Sequence, residues 1–130
     1  MKRYVMVGLF IEGSDSMLDK EKLQIINNET VKAVLSVSDK VTKIILFGSQ
    51  ARGDSEEGSD IDILVVTDVS EEQLSKIKRD MRHYADDICL EYDEVVSLII
   101  STKIEYDTMQ HMLFYKNVAR DGIVLYNKEC

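Results

Sequence analysis

One run of the sequence places two carboxylates shortly after a glycine–serine pair. Gly48 and Ser49 follow an apolar segment, and ten residues separate Ser49 from Asp60, which opens a second apolar segment as Asp60-Ile61-Asp62. Because side chains alternate between faces along a strand, Asp60 and Asp62 share one face. Two adjacent carboxylates repel each other unless a cation lies between them, and the N–H groups of a glycine turn can receive an anion. These residue types predict a site for a metal ion and a phosphate.

Each half of this pattern alone has a simpler explanation. An Asp-x-Asp pair at a strand edge is often only solvated, and a lone Gly-Ser pair carries little information. The two halves together are more specific, since both adjoin strongly apolar segments and one loop joins them. Residues 48–53 (Gly-Ser-Gln-Ala-Arg-Gly) and 59–65 (Ser-Asp-Ile-Asp-Ile-Leu-Val) resemble the DNA polymerase β-like nucleotidyltransferase superfamily, and most closely its small branch, the minimal nucleotidyltransferases.

The resemblance implies nucleotidyl transfer, in which a hydroxyl group displaces pyrophosphate from a nucleoside triphosphate, here ATP. It assigns Asp60 and Asp62 to two Mg²⁺ ions, with Mn²⁺ as an alternative. Such a metal pair stabilises the attacking and the leaving oxygens together. It also assigns Gly48 and Ser49 to the phosphates of the nucleotide.

Arg52 follows the glycine–serine pair and has two interpretations. As a charge-assisted donor it would bind the triphosphate. Alternatively, it would pair with Asp54 or Asp60 and hold the loop between the two motifs. The sequence leaves both interpretations open, and Arg52 is counted with the candidate nucleotide-binding residues.

The superfamily adds a third carboxylate on a neighbouring strand, and two residues are candidates for it here. Asp93 and Glu94 precede a valine-rich segment, and strand parity puts them on opposite faces. The sequence does not decide which face looks toward Asp60. Asp93 precedes its strand as the family's third aspartate does, so the predicted catalytic and metal-binding set is Asp60, Asp62 and Asp93. If neither candidate reaches the site, the chain would bind nucleotide without turning it over.

Composition limits the classes of protein to which the chain can belong. Its 130 residues suffice for one domain with a core, and its net charge of −8 argues against direct nucleic-acid binding. Cys89 and Cys130 show neither disulfide nor metal-ligand spacing, and Cys89 is expected to be a buried thiol. Without a membrane span or a signal peptide, we expect a cytoplasmic protein. Residues 17–130 are interpreted as the nucleotidyltransferase domain, and residues 1–16 as an N-terminal extension. The sequence leaves open whether this extension is an added edge strand, a partner-binding arm or upstream sequence from an early start.

Strand and helix patterns alternate along the chain, which predicts an α/β (α+β) fold, a small mixed sheet with helices packed on one face. The resemblance implies the palm-like core of nucleotidyltransferases for the same region. The predicted helices begin near Leu18, Ser70 and Thr102, and the predicted strands are Lys43–Phe47, Ile61–Val66, Asp93–Ile100 and Ile123–Tyr126.

We expect three further features of the last predicted helix. Thr102 should begin it with a capping box, as Ser70 does for the helix before it. Gly122 should end it in a left-handed conformation. Helical spacing directs three apolar residues of this helix toward the core, namely Met109, Met112 and Leu113.

The length of the chain bears on the acceptor of the nucleotide. At 130 residues we expect no second domain to bind an acceptor, so that surface should come from another chain. The resemblance implies a HEPN-domain partner in a toxin–antitoxin module, with AMP transferred to a tyrosine of the HEPN toxin. Two alternatives remain, a non-catalytic antitoxin that acts by forming a complex and a small-molecule nucleotidyltransferase that builds its acceptor cleft as a homodimer.

Overall fold

The computed structural model describes residues 19–129 as a mixed α/β domain. The predicted N-terminal extension, residues 1–16, lies outside the described residues. No helix between residues 19 and 129 combines the length and the apolar character needed to cross a membrane. The elements in chain order are α1 (Lys20–Val37), β1 (Val41–Phe47), α2 (Ser49–Arg52), β2 (Ile61–Thr67), α3 (Glu71–Tyr92), β3 (Val96–Thr102), α4 (Lys103–Thr108), α5 (Leu113–Asp121) and β4 (Ile123–Asn127).

The four strands form one mixed sheet in the order β3-β2-β1-β4. β1 runs antiparallel to both of its neighbours, whereas β2 and β3 are parallel. Parallel neighbours need a long crossover between them, and the 22-residue helix α3 supplies it. The predicted α/β class with a mixed sheet is confirmed. The two long helices pack on one face as expected, whereas the short helix α5 packs on the other.

The main core lies between one face of the sheet and the two long helices. On this face of β2, Ile61, Ile63 and Val65 are all 0% exposed. They pack in one cluster with Ile26 of α1 and Met81 of α3. Full burial of an aliphatic side chain contributes about 1.5–3 kcal/mol, so this face supplies most of the apolar stabilisation of the domain.

The ends of the long helices follow from local hydrogen bonds. Asp19 caps α1, because its carboxylate accepts a hydrogen bond from the backbone N–H of Lys22 at 2.7 Å. Ser70 and Gln73 form the predicted capping box at the start of α3, with both reciprocal bonds present. These caps satisfy N–H groups that have no acceptor inside the helix.

The C-terminal helical segment differs from the prediction of a single helix. α4 has six residues and α5 nine, and the backbone N–H of Met112 donates to the carbonyl of Met109 in the turn between them. This turn redirects the chain, so α5 presents Tyr115 and Val118 to the sheet instead. The expected inward orientation of three residues is therefore wrong, since Met109 is 40% exposed, Met112 49% and Leu113 73%.

Gly122 also differs from the prediction, because its backbone is extended (φ −69°, ψ 147°) and not left-handed. The close approach of neighbouring atoms explains why a glycine occupies this position. A Cβ atom at this position would lie 2.4 Å from the carbonyl oxygen of Val118 and 2.7 Å from Cγ2 of Ile45. A residue without a side chain therefore allows α5 to end against β1.

Candidate functional site

The glycine turn after β1 directly contacts the second carboxylate of the Asp-x-Asp pair. Gly48 has φ 78° and ψ −159°, a conformation that favours glycine. A Cβ atom on Gly48 would lie 2.6 Å from Oδ2 of Asp62. Register explains the contact, since Phe47 at the end of β1 pairs with Asp62 near the start of β2. The two predicted halves of the site thus meet at this point.

The two carboxylates influence each other in the folded chain. Asp62 lies in β2 and is half-buried, whereas Asp60 precedes the strand and is exposed. Burial, and after it the negative charge of Asp60, raises the pKa of Asp62 above its ordinary value. Both causes disfavour the charged form of Asp62, and a cation between the carboxylates would relieve both.

The donor set suits a hard divalent cation. Mg²⁺ prefers oxygen ligands, keeps several of its waters and is commonly held by one or two carboxylates together with substrate phosphates. Asp60 and Asp62 supply such carboxylates. Beside Asp62 lies Gly48, which has no side chain to fill the space next to that carboxylate. Among residues 19–129, no three histidine, cysteine or acidic residues lie close enough together to form a metal-binding group.

Arg52 pairs with two carboxylates, one near in the sequence and one distant. Its Nε donates to Oδ2 of Asp54 at 3.2 Å, and its Nη1 lies 3.8 Å from Oδ2 of Asp121. The local pairing with Asp54 expected from the sequence is therefore present. Asp121 also accepts two hydrogen bonds from Arg120. Its link to Arg52 joins the end of α5 to α2 and has no signal in the local sequence.

The two candidates for a third carboxylate lie in different surroundings. Glu94 accepts a hydrogen bond from Nζ of Lys22 at 3.2 Å, which engages it with α1. Asp93 is exposed at the C-cap of α3, where its φ of 56° is left-handed. The strand residue paired with Asp62 on β3 is Ser97. The assignment of Asp93 to the metal site stays a prediction.

Comparison with known proteins identifies the family. The model of the nucleotidyltransferase domain family matches residues 28–120, a segment that contains the glycine turn and both carboxylates. The chain belongs to the nucleotidyltransferase domain family. The "Putative protein adenylyltransferase MJ0604" of Methanocaldococcus jannaschii is 38% identical over 91 residues, which cover 67% of this chain and 80% of the relative. A second M. jannaschii protein of the same description, MJ0141, is 42% identical over 67 residues, or 52% of this chain and 66% of that relative.

Solved structures support the fold of this nucleotidyltransferase. A toxin–antitoxin complex crystallised with AMP-PNP contains a chain that superposes with a TM-score of 0.58 at 21% identity, covering 79% of this chain and 74% of that one. A nucleotidyltransferase-like protein from Sulfolobus solfataricus superposes with a TM-score of 0.51 at 24% identity, covering 81% and 80%. At these identities the likeness concerns the fold alone.

Proposed function

We propose that this nucleotidyltransferase transfers AMP from ATP to a hydroxyl group of a partner protein, a HEPN-domain toxin that the transfer silences. The observation that carries the proposal is the contact between the Gly48 turn and the Asp62 carboxylate, because it juxtaposes a candidate phosphate site with a candidate cation site. The relatives named as protein adenylyltransferases support a protein as the acceptor.

Each residue of the site has a proposed role. Asp60 and Asp62 would hold Mg²⁺, and Asp93 stays the candidate for a third carboxylate. When bound, the metal would supply charge stabilisation for the attacking and leaving oxygens. Gly48 lets the backbone approach the phosphates closely, and Ser49 would donate a hydrogen bond to them.

The guanidinium group of Arg52 can bind the nucleotide if it releases its present carboxylate partners. Its side chain is 42% exposed and lies between Asp54 and Asp121. Exposed ion pairs of this kind contribute little to stability. A triphosphate carries more negative charge than one carboxylate, so we expect it to compete successfully for the guanidinium group.

The surface of the C-terminal helices supports a protein partner. Four large apolar side chains of α4, α5 and the turn between them are at least 40% exposed. Exposed apolar side chains gathered in one segment of the chain are compatible with a surface that binds another protein. The net charge of −8 suits a basic partner and disfavours a nucleic-acid acceptor. The four residues are Ile104, Met109, Met112 and Leu113.

The identity of the partner rests on the resemblance to minimal nucleotidyltransferases. The toxin–antitoxin complex with AMP-PNP among the structural neighbours is consistent with a partner of this kind and with an adenine nucleotide. A tyrosine hydroxyl of the HEPN protein would then be the acceptor, and the chain would act as the antitoxin.

Intact-mass spectrometry tests the proposal. A HEPN-domain protein offered as the partner, incubated with the chain, ATP and Mg²⁺, should gain ~329 Da for each AMP added. Asp62→Asn should abolish the gain, whereas Asp68→Asn, an exposed control just beyond the end of β2, should retain it. An unmodified partner that is inhibited equally by wild type and Asp62→Asn would establish inhibition by complex formation and refute the enzymatic proposal.

A further inference from the structure

We propose that the hydroxyl group of Ser97 is a further oxygen ligand of the cation held by Asp60 and Asp62. This inference rests on the proposed function, because it extends the same site. It assigns a role to a residue of β3 that neither the carboxylate pattern nor the family comparison singles out.

The register of the sheet places Ser97 beside the site. In the parallel ladder of β2 and β3, Asp62 pairs with Ser97 and Ile61 pairs with Val96. Paired residues on neighbouring strands share a face and lie about 4.8 Å apart. Ser97 is therefore the residue of β3 whose side chain stands next to the Asp62 carboxylate, on the face opposite the main core.

The Ser97 hydroxyl is available for a ligand. It is half-buried, and it makes no hydrogen bond with any residue between 19 and 129. Ser101 lies on the same face of β3, four residues further along. Its hydroxyl instead donates to the carbonyl of Thr102 at 3.0 Å. The side chain of Ser97 is thus a polar group without a structural partner in the described chain, next to a carboxylate whose charge is only partly solvated.

The chemistry of serine suits this position. A hydroxyl oxygen is a hard, neutral ligand, and serine or threonine hydroxyls bind Mg²⁺ in phosphate-binding loops. A neutral third ligand adds coordination without a third negative charge beside Asp60 and Asp62. Glu94 is engaged with Lys22, and Asp93 lies before β3 begins, so Ser97 is the oxygen donor that β3 itself contributes.

Mn²⁺ binding to the full chain, measured by electron paramagnetic resonance with and without AMP-PNP, tests this assignment independently of turnover. Ser97→Ala should raise the dissociation constant of Mn²⁺ about tenfold, the lower end of the effect of losing a supporting metal-site contact. Ser97→Asp should lower it below the wild-type value, because it adds a charged ligand. Ser75→Ala, an exposed serine of α3, is the matched control and should bind as wild type does. Circular dichroism confirms that each variant is folded.

The comparison of variants separates this inference from the proposed function. If Asp62→Asn loses Mn²⁺ while both Ser97 variants bind like wild type, Ser97 is not a ligand and the proposed site stands. If Asp93→Asn weakens binding and Ser97→Ala does not, the third ligand is Asp93 and the inference is wrong. If Asp62→Asn also binds like wild type, both the inference and the proposed cation site are overturned.

Discussion

The two faces of β2 differ in how they are covered. One face carries Ile61, Ile63 and Val65, all 0% exposed, beneath the two long helices. On the other face, the C-terminal half of the strand packs against α5, and the N-terminal half carries Asp62, with Asp60 just before the strand. The residues of this second face are Asp62, Leu64 and Val66.

The difference between the faces lies in how far their covering helices extend. α1 and α3 have 18 and 22 residues and cover the first face along the strand. α5 has nine residues, and its buried Tyr115 and Val118 contact the half of the second face that contains Leu64 and Val66. A polar site remains where the second face is uncovered. One strand thereby provides both the core and the candidate chemistry of the domain.

The largest effect that we expect from one substitution falls on the fully covered face. Ile63→Ala should lower the free energy of unfolding by about 2–5 kcal/mol, because it leaves a cavity between the sheet and the helices. Urea denaturation followed by circular dichroism measures this loss. A loss below about 1 kcal/mol would mean that the first face is not the main core.

The glycine turn offers a matched pair of substitutions for the site half. Gly48 and Gly58 both have positive φ, but a Cβ atom at Gly48 meets Asp62, and one at Gly58 has nothing within 4 Å. Both alanine variants incur backbone strain of about 1–3 kcal/mol. Only Gly48→Ala should also weaken ATP binding, by about tenfold or more, in calorimetry. Equal ATP affinity in the two variants would separate the turn from the nucleotide site.

Tyr115→Phe tests the covered half of the second face. The Tyr115 hydroxyl donates to Oε2 of Glu105 at 2.7 Å and links α5 to α4. Its removal should lower the free energy of unfolding by about 1 kcal/mol and leave Mn²⁺ affinity unchanged. Tyr126→Phe is the control, since the Tyr126 hydroxyl has no hydrogen bond within the described chain. A change in Mn²⁺ affinity would show that the two halves of this face are not independent.

The smallest expected effect is a gain of stability in the metal-free protein. The folded pKa of Asp62 is raised, so ionisation above its ordinary pKa of 3.8 favours the unfolded chain. Asp62→Asn should therefore raise the melting temperature slightly at pH 7 in EDTA, and the gain should shrink as the pH falls toward 3.8. Asp68→Asn should show no such gain. A lower melting temperature for Asp62→Asn would contradict the repulsion between the carboxylates.

The sequence predicted the local features of this molecule better than the non-local ones. The Gly-Ser turn, the Asp-x-Asp strand and the Ser70 capping box all depend on residues a few positions apart, and each has its expected local structure. The contact between Gly48 and Asp62 depends on the pairing of β1 with β2. The sequence predicted a metal site and a phosphate site at these residues, but no local pattern records the strand pairing that brings Gly48 to Asp62.

Three features depended on contacts that no local pattern records. The turn that separates α4 from α5 depends on the packing of α5 against the sheet, which the helical spacing of Met109 and Met112 does not report. The extended backbone of Gly122 results from its approach to Ile45, far away in sequence. The hydrogen bond from Lys22 to Glu94 joins residues 72 positions apart in the sequence. Each of these outcomes required the register of distant segments.

Transfer of radiolabel from ATP tests the central claim most directly. The chain, Mg²⁺ and the proposed HEPN-domain partner are incubated with ATP labelled at either the α- or the γ-phosphate, and the partner is then separated under denaturing conditions. We predict label on the partner from the α-phosphate only, absent with Asp62→Asn and retained with Asp68→Asn. Label from the γ-phosphate, undiminished labelling with Asp62→Asn, or an unlabelled partner would contradict AMP transfer at the site formed by Asp60 and Asp62.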